Sequence, residues 1–310
     1  MELDFLIIGA EKAGTTFIHN AIKENNKIEI PDKEIKYFED PEFNILPNNF
    51  LDKLFKKTRN NKLRGIRRPT YLGLPECPER IYKHSPSAKL IISLRNPIER
   101  AISAYFHYVR LNLLPMEPLN IGLWRILKGE YEETEYNKIA KCIIDFGLYY
   151  RAISRYLKFF PRNQILIIFL KEIKKHPNEI KRQIFNFLDV DHQFNQKNSF
   201  QKLLQKKMAN KGVYSLKRLK IYRNYAKIVA NYKLEKIDWA YRSKLYRKKG
   251  LFYRIFFYLF HVLDKTIFLW LFKNEKPKLN KRISDILKNI YNEDIKKLET
   301  LINMPLKNWD

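Results

Sequence analysis

The chain has 310 residues, long enough for one large α/β domain, and carries 60 lysines and arginines against 33 acidic residues, a formal net charge of +27. Its two cysteines, Cys77 and Cys142, lie far apart, which excludes a disulfide framework and a paired-cysteine metal site and points to a reducing setting. The positive excess attracts polyanions, whether nucleic acid, anionic lipid or acidic polysaccharide, and does not choose among them.

No secretory hydrophobic run precedes the first strand, since acidic Glu2 follows Met1 directly; this predicts a cytoplasmic protein or a catalytic domain cut from a longer chain. Phe5 to Ile8 is an apolar run with the pattern of a strand buried in a mostly parallel sheet. Gly9 ends it and Gly14 follows. Then come Thr15, Thr16 and an apolar-periodic segment of Phe17, Ile18, Ala21 and Ile22. Strand, glycine loop and helix in that order present free backbone N–H groups and the positive end of the helix dipole to an anion. The spacing nearly matches a nucleotide P-loop, but Thr15 stands where that motif has its lysine, and the lysine comes earlier, at Lys12. A Walker-type kinase needs its lysine at the β- and γ-phosphates, so the displacement weighs against ATP. A glycine turn that binds nothing is the plain alternative.

Lys12-Ala13-Gly14-Thr15-Thr16 resembles the 5′-phosphosulfate loop of sulfotransferases that use 3′-phosphoadenosine 5′-phosphosulfate (PAPS), whose pattern is K-x-G-T followed by Thr or Ser. The resemblance implies that Lys12, Ala13, Gly14, Thr15, Thr16 and Phe17 hold the donor and that Lys12 also serves catalysis. Pro31 to Asp40 then reads as a charged loop beyond the sheet edge, with Glu34 near two cations, Lys33 and Lys36. Such neighbours suit a carboxylate that accepts a proton, although most charge runs are only solvated. The stretch resembles the K-E-x-H segment of carbohydrate sulfotransferases, in whose heparan sulfate branch the glutamate is the catalytic base. That role is carried onto Glu34, with Lys36 standing where the family has histidine.

An apolar comb of Phe50, Leu51, Leu54 and Phe55 predicts a helix. Arg64 to Leu74 resembles the family segment G-E-K, then Ser or Thr, then P-x-Y, with Ile66 replacing the acid and Arg67 the lysine. Lys33 and Arg67 are thereby candidates for gripping substrate oxygens, Arg67 as a planar fork. Pro78 to His84 predicts a short helix, and Ala88 to Leu94 a strong strand. The strand runs into Arg95-Asn96-Pro97 and a helix from Ile98, with Ala101, Ile102, Tyr105 and Val109 on one face. Arg95 is thus at the carboxyl end of a buried strand, where open α/β sheets bind ligands. Leu94 to Ser103, L-R-N-P-I-E-R-A-I-S, resembles the 3′-phosphate motif, which implies that Arg95 and Ser103 hold that phosphate through a charged fork and a hydroxyl. His107, on the same helix, reads as a packed or surface residue.

Asn120 to Lys141 reads as polar helix and loop, Phe146 to Phe160 as an amphipathic helix stopped by Pro161, Gln164 to Leu170 as a third strand, and Pro177 to Leu188 as a helix. Leu170-Lys171-Glu172-Ile173 is a worn form of the family's Y-E-D-L. From about 205 to 276 the chain is dense in Lys, Arg, Tyr and Phe, and reads as a basic helical insertion in a single domain spanning 1–310. Asn210 to Tyr214 faintly resembles a K-G-aromatic loop that covers the cofactor. Leu251 to Phe272 is the most apolar span, but Arg254, His261, Asp264 and Lys265 interrupt it, so a spanning helix is not expected. Packing on the core is favoured, with a basic amphipathic helix on anionic membrane as the alternative. Lys281 to Trp309 resembles the closing helices of bacterial and carbohydrate sulfotransferases.

The resemblance covers residues 1 to about 190 and 278 to 310. It implies a P-loop-like, three-layer α/β/α fold with a central, mostly parallel sheet and a helical C-terminal region. It also implies metal-free transfer of a sulfuryl group from PAPS to a hydroxyl of a carbohydrate or glycan, leaving adenosine 3′,5′-bisphosphate (PAP). The basic region suggests an acidic or lipid-linked glycan, with peripheral membrane contact through 251–272, and no specific nucleic-acid partner is expected. Two other classes stay open: a P-loop NTPase or small-molecule kinase, and a basic nucleic-acid-binding protein. The latter explains neither the loop nor the Leu94–Ser103 string.

Overall fold

The computed structural model describes residues 1–55, 62–191, 214–230 and 277–306, together with Trp309 and isolated positions between 259 and 272. Strand β1 (Phe5–Gly9) is apolar on both faces and buried throughout, as the middle of a parallel sheet demands. β2 (Ile28–Glu29), β3 (Leu63–Arg67), β4 (Lys89–Leu94) and β5 (Ile165–Phe169) complete a sheet of order β2-β3-β1-β4-β5. Every pairing in it is parallel. The chain leaves β1 toward one edge and returns to build the other, so the sheet reverses direction around β1. That reversal opens a crevice at the carboxyl ends of the strands.

The helices follow as α1 (Thr15–Lys23), α2 (Glu42–Ile45), α3 (Cys77–His84), α4 (Pro97–Arg110), α5 (Leu119–Leu127), α6 (Asn137–Asp145), α7 (Tyr149–Leu157), α8 (Leu170–Lys175), α9 (Pro177–Phe187), α10 (Leu216–Ala230) and α11 (Lys281–Ile302). Strand alternation sends Leu6, Ile8, Ile66, Leu90 and Ile92 to one face, where they pack with Tyr149, Tyr156, Phe160 and Leu298 from α7, its continuation and α11. Phe5, Ile7, Ile91 and Ile168 point the other way, onto Ile18 and Ile22 of α1 and Ile180 and Ile184 of α9. The result is the expected three-layer α/β/α arrangement with a C-terminal helix.

The chain divides into two compact units. The first, Met1–Ala104, Lys141–Lys211 and Ser284–Asp310, holds the sheet and every candidate site residue. The second, Tyr105–Ala140 and Gly212–Ile283, consists of helices and connecting loops where described. Within it Tyr105 Oη donates to the Glu117 carbonyl at 2.8 Å, and the Arg282 guanidinium lies 4.1 Å over the Trp124 ring.

Some expectations are corrected. The comb of Phe50, Leu51, Leu54 and Phe55 forms turns rather than a helix. Pro47 and the two asparagines after it favour turns, yet Leu51 and Phe55 are buried as the comb suggests. The helix expected over 146–160 is limited to Tyr149–Leu157. Asn210 to Val213 and most of 205–276 lie outside the described residues. Within the apolar span, Leu259, Val262, Leu263, Ile267 and Leu271 are described and are 41–54 % exposed, so these five do not pack on a core as favoured. Among the described residues no helix is long and apolar enough to cross a membrane.

Candidate active site

The loop after β1 turns sharply into α1. Gly14 stands at φ 96°, a conformation that glycine adopts without steric cost, and a Cβ there would meet Leu170 Cδ1 at 2.7 Å. Lys12 takes the left-handed region at φ 65° despite its side chain, a strain that clusters at functional sites. The loop is pinned to β4: the Ala10 N–H donates to the Ser93 carbonyl at 2.7 Å, and the buried Ser93 hydroxyl donates to the Ala13 carbonyl. No side chain caps the start of α1. Ala13 and Thr15 are buried, Phe17 is half-buried and Thr16 is exposed at the mouth of the loop.

Strand β3 brings cations to the same edge of the sheet. Arg67, buried at the strand end, donates from Nη1 to Thr16 Oγ1 at 2.8 Å and lies 3.6 Å from Glu34 Oε1. Burial pushes its guanidinium below the ordinary arginine value, and Glu34 pulls it back. The segment carrying Glu34 hangs on the end of β3, where the Ile35 N–H donates to the Arg67 carbonyl at 3.1 Å. Fully buried Tyr71 fixes it further, its hydroxyl donating to the Ile35 carbonyl and accepting from the Phe38 N–H. Beneath the segment's start, buried His19 donates from Nε2 to the Pro31 carbonyl at 2.9 Å. A carbonyl only accepts, so Nε2 carries the hydrogen. Burial pushes this imidazole below its usual value.

Strand β4 delivers Arg95. Its Nη1 lies 3.5 Å from the Lys12 carbonyl, and its Nε and Nη2 each stand 3.1 Å from the Glu99 carboxylate. The Arg95 carbonyl accepts from Tyr149 Oη at 2.8 Å, and Asn96 Nδ2 donates to the Trp309 carbonyl at 3.2 Å. The Trp309 ring packs against Tyr149 and Phe169, with ring centres 5.7 and 5.9 Å apart. The late tryptophan thus helps fix the carboxyl ends of β4 and β5. Ser103 is half-buried on α4, and Lys33 is exposed beside Glu34.

Direct contacts therefore join the sequence candidates in two groups. Arg95 meets the loop at Lys12; Arg67 ties Thr16 to Glu34. The cations holding Glu34 are arginines from the end of β3, while Lys36 pairs with Glu42 at 3.2 Å. Three further residues, Ser93, Arg68 and Glu39, went unread in the sequence. Ser93 sits inside an apolar strand, and Arg68 stands where the family segment has a small hydroxyl. Glu39 looks like part of a solvated charge run, yet it is buried. Backbone N–H groups at a helix start, two hydroxyls, one lysine and two arginines form a donor set that fits phosphate and sulfate oxygens. Among the described residues, no group of three His, Cys, Asp or Glu side chains is placed to hold a metal ion.

A parallel sheet with a glycine loop at the switch strand, and a loop lysine outside the Walker position, define a P-loop-like α/β protein. The chain belongs to the sulfotransferase family: the sulfotransferase-domain pattern matches residues 2–247. It is 28% identical over 209 residues to human bifunctional heparan sulfate N-deacetylase/N-sulfotransferase 3, covering 62% of this chain and 23% of that protein. It is 25% identical over 210 residues to mouse heparan sulfate glucosamine 3-O-sulfotransferase 5, covering 63% of this chain and 56% of that one. The membrane-associated sulfotransferase kil1 of Dictyostelium discoideum is 23% identical over 269 residues, covering 61% of this chain and 56% of its own length. The chain thus spans under a quarter of the bifunctional relative and just over half of the other two. A crystal structure of a sulfotransferase from Alicyclobacillus acidocaldarius shares the fold with a TM-score of 0.63 at 20% identity, covering 100% of this chain and 99% of that one.

Proposed function

We propose that the protein transfers a sulfuryl group from PAPS to a hydroxyl of a carbohydrate or glycan acceptor. The observation that carries this reading is the bridge made by Arg67. It bonds the loop hydroxyl of Thr16 and faces the carboxylate of Glu34, so anion loop and candidate base share one edge of the sheet. PAPS, when bound, supplies the sulfuryl group and the bisphosphate that leaves.

Each residue has a defined part. The loop N–H groups of Gly14, Thr15 and Thr16, with the two threonine hydroxyls, hold the 5′-phosphate side; the N–H groups of Ala13 and Phe17 go to the Ala10 and Gly14 carbonyls at 3.2 and 2.9 Å, so these two residues shape the loop around it. Arg95 and Ser103 hold the 3′-phosphate, Arg95 exchanging Glu99 for the stronger fork onto phosphate. Lys12 neutralises charge on the leaving phosphate, Glu34 takes the proton of the acceptor hydroxyl, and Lys33 and Arg67 grip substrate oxygens. Sulfuryl transfer asks mainly for positioning and charge neutralisation. The heparan sulfate relatives and the Glu34 segment both favour a sugar acceptor.

Thermal denaturation with added nucleotide tests the donor class. PAP at a hundredfold excess over its Kd is expected to raise the melting temperature by about 5 °C, while ATP with or without magnesium leaves it in place. Stabilisation by magnesium-ATP alone would restore the kinase reading.

The exposed Leu259, Val262, Leu263, Ile267 and Leu271, set in a basic stretch, support a peripheral contact with anionic membrane. The protein should co-float with phosphatidylserine vesicles at low salt and with neutral vesicles much less. Equal partition into both, or into neither, rejects that contact.

A further inference from the structure

Arg68 has no part in the reaction as described, yet it is the most heavily engaged cation around Glu34. The residue is 8 % exposed. Nη1 donates to Glu34 Oε2 at 2.9 Å, Nε donates to Glu39 Oε2 at 3.1 Å, and Nη2 donates to Glu39 Oε1. Glu39 is itself 6 % exposed and accepts from Thr70 Oγ1 at 2.9 Å. Burial pushes the Glu39 carboxyl up, and Arg68 and Thr70 draw it back. The Arg68 backbone N–H donates to the Ile7 carbonyl of β1 at 3.0 Å, which roots the strut in the central strand. A buried, two-point arginine–carboxylate pair has fixed geometry, and removing one partner from such a pair is strongly destabilising. Glu39 therefore locks Arg68, and the free corner of the guanidinium locks Glu34.

The two oxygens of Glu34 are not equivalent. Oε2 is committed to Arg68, whereas Oε1 stands 3.6 Å from Arg67 Nη1, beyond hydrogen-bond length. We propose that Arg68, held by Glu39 and Thr70, is a positioning residue that fixes Glu34 through Oε2 and leaves Oε1 as the oxygen that accepts the acceptor's proton. The inference rests on the sulfotransferase reading. In the step it serves, the acceptor O–H proton passes to Oε1 as the hydroxyl oxygen forms its bond to sulfur. The bond from sulfur to the bridging phosphate oxygen breaks, and its electron pair stays on the phosphate. A serine or threonine at position 68 is too short to make this strut, so the device belongs to this chain's departure from the family segment.

The test compares Arg68→Lys, Glu39→Gln, Glu34→Gln and the Arg68→Lys/Glu34→Gln double variant. Two quantities are read: kcat for PAPS consumption and the Kd of PAP. Turnover is measured with the acceptor an activity screen yields, or with water where it yields none. Lysine keeps a charge beside Glu39 but cannot fork two carboxylates. Arg68→Lys is expected to lower kcat by about 10²-fold, the cost of a misplaced catalytic group. The Kd of PAP stays within about twofold, and Arg68→Lys adds nothing once Glu34 is Gln. Glu39→Gln lowers kcat in the same direction by less, and it serves as the readout should Arg68→Lys fail to fold. The inference is overturned if these variants keep the parent kcat, if PAP affinity falls in step with kcat, or if the losses at positions 68 and 34 are additive. A parent protein that neither binds PAP nor consumes PAPS defeats the sulfotransferase reading itself, a different result from an active parent that is indifferent to Arg68.

Discussion

A Lys12→Ala protein folds as the parent does and loses PAPS-dependent turnover by about 10²–10³-fold, the usual cost of removing one pre-set charge stabiliser. The fold is expected to survive for specific reasons. Lys12 already stands at φ 65° with a β-carbon, so alanine adds no backbone strain that lysine does not carry. The loop is fastened by main-chain groups and by the Ser93 hydroxyl, which the substitution leaves in place. The Lys12 carbonyl near Arg95 is kept as well. What disappears is the one ammonium proposed to meet the phosphosulfate, where charge would accumulate as the leaving phosphate departs. The loss in kcat should therefore exceed the loss in PAP affinity, because only part of the interaction is present in the ground state. Near-normal turnover in this variant would remove Lys12 from the chemistry, and an equal loss in both quantities would leave it a binding residue alone.

The loop was legible in the sequence because its signals are local. An apolar run, two glycines at set spacing and an apolar-periodic segment each follow from a few adjacent residues, and β4 and β5 announce themselves in the same way. The other two strands do not. β2 is only Ile28–Glu29, too short for any periodicity. β3 reads Leu-Arg-Gly-Ile-Arg, and its charged residues mask a strand whose first two positions are only half-buried. Its Gly65 is needed because the Phe5 ring packs where a Cβ would stand, at 2.2 Å. Contacts set by register across parallel strands are equally hidden. Sequence neighbours suggested Lys33 and Lys36 as the cations of Glu34, but the strand end supplies Arg67 and Arg68, the latter 34 positions away. Lys36 turns to Glu42 instead. The loop and the arginine after β4 could thus be read from sequence. The network that holds the candidate base needed the fold.

Glu34→Gln carries the second large effect: kcat falls by about 10²–10⁴-fold, the range that a positioned general base supplies. Shape is retained, so the reason is chemical. Arg68 presents only donors, so the glutamine amide should turn its oxygen to Arg68, in place of Oε2 at 2.9 Å, and its NH₂ outward. At the outer position a proton acceptor has then become a proton donor. Stability should change little. The Glu34 side chain is 37 % exposed, where an ion pair contributes little, and Arg68 keeps its buried partner Glu39. PAP affinity should also hold, because the proposed phosphate contacts belong to the loop and Arg95, not to Glu34. The ratio of the two effects separates the roles, which kcat alone cannot do. A large fall in kcat with unchanged PAP binding assigns Glu34 to proton transfer. A fall in PAP affinity of the same size assigns it to holding Arg67 against Thr16, and hence to the shape of the anion loop.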